Sequence, residues 1–255
     1  MAKPEDNHAR LISEVTAITP GRPFWVGIYL QTARGWHTYW RNPGDSGSPT
    51  DVQLKLPAGW KASPVYWPAP VRIDLAGTVS YGYEKPTLLL MRLTPPDKPL
   101  GRHVDLRGRV RWLTCTAEVC VPAKGDLSLT LPVAKTNAGD HSWKELFARS
   151  LSSLPKPSKG WAGTASLEKG TIRLHLKCPG GESASYLFPI ESGVLDQSRP
   201  QLFHRSPDGL DAELTVSEYA QHPPSRLRGV LLTNSANPTE SHQSAITIDI
   251  PITNP

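Results

Sequence analysis

Short segments in which apolar and polar residues alternate, each closed by proline, glycine, asparagine or aspartate, govern what this chain can fold into. Val52, Leu54 and Leu56 mark one such segment, and Leu127, Leu129 and Leu131 mark another. An apolar side chain at every second position describes a strand with one face in a core and the other in water. The chain has 26 prolines and 20 glycines against only two methionines, a balance that favours many short strands joined by turns. Strand-like stretches occupy residues 24–33, 50–60, 86–96, 103–115 and 125–133, then resume at 170–178, 184–190, 211–218, 226–234 and 244–252. Between the two groups, residues 141–154 repeat Trp143, Leu146, Phe147, Leu151 and Leu154 at helical steps, with Asp140 placed to cap the start. The stretch PKPSKG at 155–160 then reads as a linker.

The expected fold class is therefore all-β: two immunoglobulin-like β-sandwich domains joined by a short helical connector. The expected bounds are a first domain over 1–135, a connector and linker over 136–159, and a second sandwich over 160–255. With 38% hydrophobic residues in 255, the chain has material for two cores. No run approaches the roughly 18 to 20 apolar residues of a membrane span, and the opening residues MAKPEDNHARL hold no apolar signal core, so neither an anchor nor a targeting segment is expected in this stretch. The net charge of +5 is spread along the chain without a basic block, which argues against a nucleic-acid partner.

Chemistry concentrates in RWLTCTAEVC, residues 111–120, where Cys115 and Cys120 are separated by Thr116, Ala117, Glu118 and Val119. Three roles are open to such a pair. As a staple it is weak, because closing a loop of about six residues restricts the unfolded chain by only about 2.2 kcal/mol, against about 4.7 for a loop of 100. As metal ligands the cysteines lack a second Cys or His pair at short spacing: His37 and His103 are scattered, and Cys178 stands alone in the second group of strands. As a reversible redox pair they need sulfurs that can bond and be reached, which a hairpin between strands ending near Trp112 and restarting near Pro122 supplies. Glu118 inside the loop disfavours a thiolate, so the pair is expected to react mainly with a docked partner. Cys178 reads as a small buried hydrophobe, with a reactive thiol as the alternative.

The segments GWHTYWRNPGDSGSPT (35–50), YWPAP (66–70), YGYEKPTLLL (81–90) and WLTCTAEVCVPAKGDLSLTLPV (112–133) resemble the amino-terminal periplasmic region of the DsbD-type thiol:disulfide interchange proteins. The resemblance is closest to the ScsB branch, associated with suppression of copper sensitivity. It implies a periplasmic redox domain with no cofactor. Its electron donors would be a thioredoxin-like domain and a membrane-embedded domain of the same reductase, and its acceptor a periplasmic thioredoxin-fold protein of the ScsC kind. Cys115 and Cys120 match the family's redox pair, with Cys120 at the position that forms the mixed disulfide. Trp36, His37, Tyr39 and Trp40 match a segment near the cysteines, with Trp112 and Glu118 flanking the sulfurs within the hairpin. Tyr81 and Gly82 match a pair beside the family's cap loop, but Thr78, Val79 and Ser80 stand where acids and an aromatic residue are expected. Tyr81 or Tyr83 is then the expected cover. The competing reading is a non-catalytic module for copper handling or protein docking, with an inert disulfide.

Overall fold

The computed structural model describes residues 7–75, 77–98, 101–136, 139, 142–178, 182–234 and 243–253. The strands, in chain order, are β1 (His8–Ser13), β2 (Phe24–Gln31), β3 (His37–Gly44), β4 (Asp51–Lys55), β5 (Lys61–Ala62), β6 (Val71–Leu75), β7 (Thr78–Tyr83), β8 (Thr87–Thr94), β9 (His103–Cys115) and β10 (Cys120–Pro132). After the helix α1 (Lys144–Ser152) come β11 (Lys156–Pro157), β12 (Ala162–Glu168), β13 (Thr171–Lys177), β14 (Ser183–Pro189), β15 (Leu202–Ser206), β16 (Gly209–Thr215), β17 (Arg226–Asn234) and β18 (Gln243–Thr253). The fold is all-β and immunoglobulin-like, as the alternation predicts. Among the described residues no helix is long and apolar enough to cross a membrane.

The chain divides into two compact units, the first formed by Met1–Arg41, Ser48–Val71 and Gly82–Leu154, the second by Asn42–Gly47, Arg72–Tyr81 and Pro155–Pro255.

In the first unit, β1, β2, β8 and β5 form one antiparallel sheet. Val26, Ile28 and Leu30 of β2 and Leu89 and Leu93 of β8 have no exposed surface. The opposite face of this sheet is covered as well: Ile12, Leu88 and Leu90 pack with Phe147 of α1, flanked by Trp25, Tyr29, Trp143, Leu146, Leu151 and Leu154. The expected wet face is thus dry over β8, and this accounts for the unbroken run of apolar residues at 88–91, since a strand buried on both sides has no need to alternate. The helix is shorter than the periodicity indicates and starts after Trp143 without a side-chain cap; Asp140 lies outside the described residues. In the other layer, β9 pairs along its whole length with β10, with β4 over Arg107–Arg111 and with the opening residues of β3 at Thr114 and Cys115.

In the second unit, β14, β17 and β18 form one sheet and β12, β13, β16 and β15 the other. The long strand β18 belongs to both. Gln243 to Pro251 pair with β17, and Ile252 and Thr253 pass to β12. Ile172, Leu174, Leu176, Leu214, Leu227 and Leu231 form the core between them.

A disulfide hairpin with a buried hydrogen-bond chain

The β9–β10 hairpin sets Cys115 directly opposite Cys120. The strands run up to the cysteines themselves, so the connection is only the four residues between them, shorter than the loop from Trp112 to Pro122 that the sequence invites. Thr116 organises this connection. Its backbone N–H donates to the Val119 carbonyl at 2.9 Å, and its side-chain Oγ1 accepts from the N–H groups of Glu118 and Val119 at 3.1 and 3.2 Å. A Thr side chain bonding its own turn in this way replaces backbone hydrogen bonds that four residues cannot otherwise make. The cysteines are joined by a disulfide with Cα atoms 4.1 Å apart, just under the span of roughly 4.4 to 6.8 Å usual for such bonds.

The two sulfurs live in different surroundings. Cys115 is 1% exposed, whereas Cys120, first residue of the edge strand β10, is exposed. Beside Cys120 stands Val119, 49% exposed, an apolar side chain held in water. Beside the same hairpin an open groove of about 520 Å³ is lined by Pro49, Trp112, Leu113, Pro122 and Ala123 together with the polar Ser48, Asp51, Arg111 and Lys124. Trp112 is buried there, while Glu118 is exposed in the turn.

Strand β3 completes the site. His37 lies opposite Cys115 in the β3–β9 pairing, and Tyr39, two residues on, points to the same face. The Tyr39 hydroxyl donates to Cys115 Sγ at 3.0 Å and lies 3.9 Å from Cys120 Sγ. The His37 Nε2 atom is 3.2 Å from the same hydroxyl, with the two rings edge to face at 5.1 Å. Polarity along this chain follows from proton counting. A disulfide sulfur carries no hydrogen, so Tyr39 must donate to it; the phenol then has no second hydrogen, so the His37 Nε2–H donates to the Tyr39 oxygen. Both residues are nearly enclosed, at 4% and 2% exposure. Burial pushes the His37 pKa below its ordinary value, against an opposing pull from the Glu84 carboxylate in the turn after β7. The imidazole is neutral at neutral pH.

The remaining residues of interest take separate places. Trp36 and Trp40 are buried, and Trp40 falls on the face of β3 opposite Tyr39. Gly82 allows β7 to lie close to β3, because a Cβ at that position would collide with the Thr38 carbonyl oxygen and crowd Tyr39 Cα. The two tyrosines offered by the sequence as covers turn to other partners: Tyr83 donates to the Pro68 carbonyl at 2.8 Å, while Tyr81, in the second unit, lies 3.0 Å from the Tyr186 hydroxyl and packs edge to face on Phe188. Burial pushes both phenol pKa values up. Cys178, at the end of β13, packs against the second core, and burial raises its thiol pKa, with Glu182 and Asp208 adding to the rise and Arg205 opposing it. Among the described residues no group of three or more His, Cys, Asp or Glu side chains is arranged to hold a metal ion. The His37–Tyr39 chain to Cys115 was not visible in the sequence beyond the proximity of its segment to the cysteines; the alternation of His37 and Tyr39 on one strand face was the available signal.

Residues 8–132 match the family model of the amino-terminal domain of the thiol:disulfide interchange protein DsbD. No curated protein sequence matches the chain. Among solved structures, the fold is similar to the N-terminal periplasmic domain of ScsB from Proteus mirabilis, with a TM-score of 0.64 at 18% identity, covering 98% of this chain and 96% of that one. A protein of unknown function from Porphyromonas gingivalis W83 aligns over 94% of this chain and 99% of its own, at 12% identity and a TM-score of only 0.24.

Proposed function

Since residues 8–132 belong to the family of DsbD-type amino-terminal domains, we propose that this chain passes electrons by thiol-disulfide exchange in the periplasm, with Cys120 as the sulfur that partners attack or are attacked by and Cys115 as the resolving partner. The observation that carries the reading is the asymmetry of the pair: Cys120 is exposed, and Cys115 is 1% exposed under the Tyr39 hydroxyl.

In the reducing half, a thiolate of a thioredoxin-like donor attacks Cys120 Sγ. The Cys115–Cys120 bond breaks and its electron pair leaves on Cys115 Sγ, while the donor and Cys120 become a mixed disulfide. A second donor thiolate then attacks the donor sulfur of that bond and releases Cys120 as a thiolate. The pair has gained two electrons and the donor has become a disulfide. In the delivering half, the Cys120 thiolate attacks the disulfide of a thioredoxin-fold acceptor, and Cys115 attacks Cys120 Sγ, which restores the pair and releases the acceptor as a dithiol. Rates of such exchange rise when the leaving thiolate is stabilised. The Tyr39 hydroxyl does this more strongly at Cys115, 3.0 Å away, than at Cys120, 3.9 Å away, favouring attack at the sulfur that a partner can reach. The donor in this reading is a thioredoxin-like domain fed by a membrane-embedded reductase.

Val119 and the groove beside Trp112 and Pro122 offer an apolar seat next to Cys120. The interface should be small, below about 1,200 Å², as in other transient redox encounters. The test is trapping. Cys115→Ala mixed with an oxidised thioredoxin-fold protein should give a covalent adduct through Cys120 on a non-reducing gel, and Cys120→Ala should give little. An adduct with Cys120→Ala alone would reverse the two roles; no adduct with either would leave a docking scaffold with an inert disulfide.

A further inference from the structure

The Cys115 sulfur is enclosed, so water cannot readily take its proton, yet resolution of a mixed disulfide requires it as a thiolate. Building on the exchanging pair described above, we propose that His37 is a positioning residue for the exchange that acts on Cys115 through Tyr39, relaying the Cys115 proton to and from its imidazole as the pair cycles.

The atoms for the relay are in line: Cys115 Sγ, then the Tyr39 hydroxyl at 3.0 Å, then His37 Nε2 at 3.2 Å. With the pair oxidised, the chain runs from the imidazole N–H through the phenol to sulfur. With the pair reduced, Cys115 carries a hydrogen, and the same three atoms run the other way: the thiol donates to the Tyr39 oxygen and the phenol donates to a bare Nε2. When Cys115 Sγ then bonds to Cys120 Sγ, the electron pair of the mixed disulfide leaves on the acceptor's sulfur. At the same time the Cys115 proton passes to Tyr39 and the Tyr39 proton to Nε2, leaving an imidazolium. The imidazolium gives its Nδ1 proton to water, which leaves the neutral Nε2–H ring of the oxidised pair. In the reducing half the electron pair arrives on Cys115 Sγ, the Nε2 proton passes through Tyr39 to that sulfur and Nδ1 takes a proton from water, so charge and protons balance over the cycle.

The surroundings of the ring suit both states. The titratable groups set against it are Tyr39 on its own strand, Cys115 across the β3–β9 pairing, and Glu84 in the turn between β7 and β8. Burial keeps the resting imidazole neutral and able to accept, and the Glu84 carboxylate favours the cation once formed. A ring that served only to fill space would gain nothing from a nitrogen aimed at a phenol that itself addresses the sulfur.

The test uses the reduced protein and a chromogenic aromatic disulfide in a rapid-mixing experiment. The first thiolate released reports attack by Cys120, and the second reports resolution by Cys115. In the wild type the second rate should be level above the imidazole pKa and fall below it. In His37→Phe the ratio of second to first rate should drop roughly 100-fold at neutral pH, the usual scale of a positioned proton acceptor. The second rate should then climb about tenfold per pH unit up to the ordinary thiol range. His37→Gln, which keeps a polar partner for Tyr39 but no titrating nitrogen, should lose the wild-type profile in the same way and guards against misfolding of the Phe variant. An unchanged ratio and pH profile in both variants overturns the relay and leaves His37 as packing. A wild type that releases only the first thiolate overturns the exchanging pair itself.

Discussion

The Tyr39 hydroxyl lies 3.0 Å from the sulfur of Cys115 and 3.9 Å from that of Cys120, so a single buried phenol distinguishes two cysteines that the hairpin otherwise treats as a matched pair. A hydrogen bond to a charged acceptor contributes about 1.5 to 3 kcal/mol. Tyr39→Phe should accordingly slow opening of the disulfide by dithiothreitol about tenfold or more, because the small thiol attacks Cys120 and Cys115 must leave. Stopped-flow measurement of disulfide reduction checks this, and an equal rate in the variant would remove Tyr39 from the chemistry.

Opening the disulfide should leave the fold standing. The loop it closes is short, and the constraint on the unfolded chain is about 2 kcal/mol. That moves the melting temperature of a protein of this size by only several degrees. Calorimetry of the oxidised and reduced forms provides the comparison; a loss of more than about 10 °C on reduction would mark the bond as a structural staple.

Gly82→Ala should destabilise the first unit, because the added methyl group has backbone rather than a flexible side chain in its way at Thr38. Overpacking of this kind costs about 1 to 3 kcal/mol. The displaced strand is β3, so the variant should also react faster with an alkylating agent at Cys115 once reduced. Urea titration together with mass spectrometry of the alkylated protein would measure both effects.

Acidification should weaken the fold through His37. Its pKa is lowered in the folded state, so the unfolded chain binds a proton more readily than the folded one. The stability associated with the neutral ring is fully present above the ordinary imidazole value of 6.5 and is lost as pH falls toward the lower folded value. Comparing the wild type with His37→Gln by chemical denaturation from neutral to mildly acidic pH should show this slope in the wild type and its loss in the variant.

Cys178 should stay silent. Its thiol pKa is raised by burial and it packs against the core of the second unit. Cys178→Ser should leave both thiolate releases from the Cys115–Cys120 pair unchanged, and peptide mapping after brief alkylation of the reduced protein at neutral pH should find the label on Cys120 first.

Much of the architecture is legible in local pattern because it is decided locally. The alternation in 103–115 reads as β9 and that in 125–133 as the greater part of β10, which begins already at Cys120 and so sets Cys120 opposite Cys115. Where a strand is buried on both faces the same rule loses its signal: β8 is apolar throughout, and nothing within it tells that α1 covers its second side. The covering of the sulfurs was harder still to read. Tyr81 and Tyr83 sit in a motif beside Gly82, but their hydroxyls are taken by Tyr186 and by Pro68, partners that no spacing along the chain reveals.

Neighbouring residues are enough to make this chain all-β and to bring its two close cysteines together across a tight turn, because strand alternation and a four-residue connection act over short distances along the chain. Which sulfur is reachable, and which is held under a phenol and an imidazole, depends on packing between distant parts of the chain. Tyr39 and Cys115 are 76 residues apart and meet only when β3 takes its place against the end of β9. The burial that silences one sulfur, tunes His37 and leaves the other exposed is a property of that packing, and no residue of the hairpin encodes it alone.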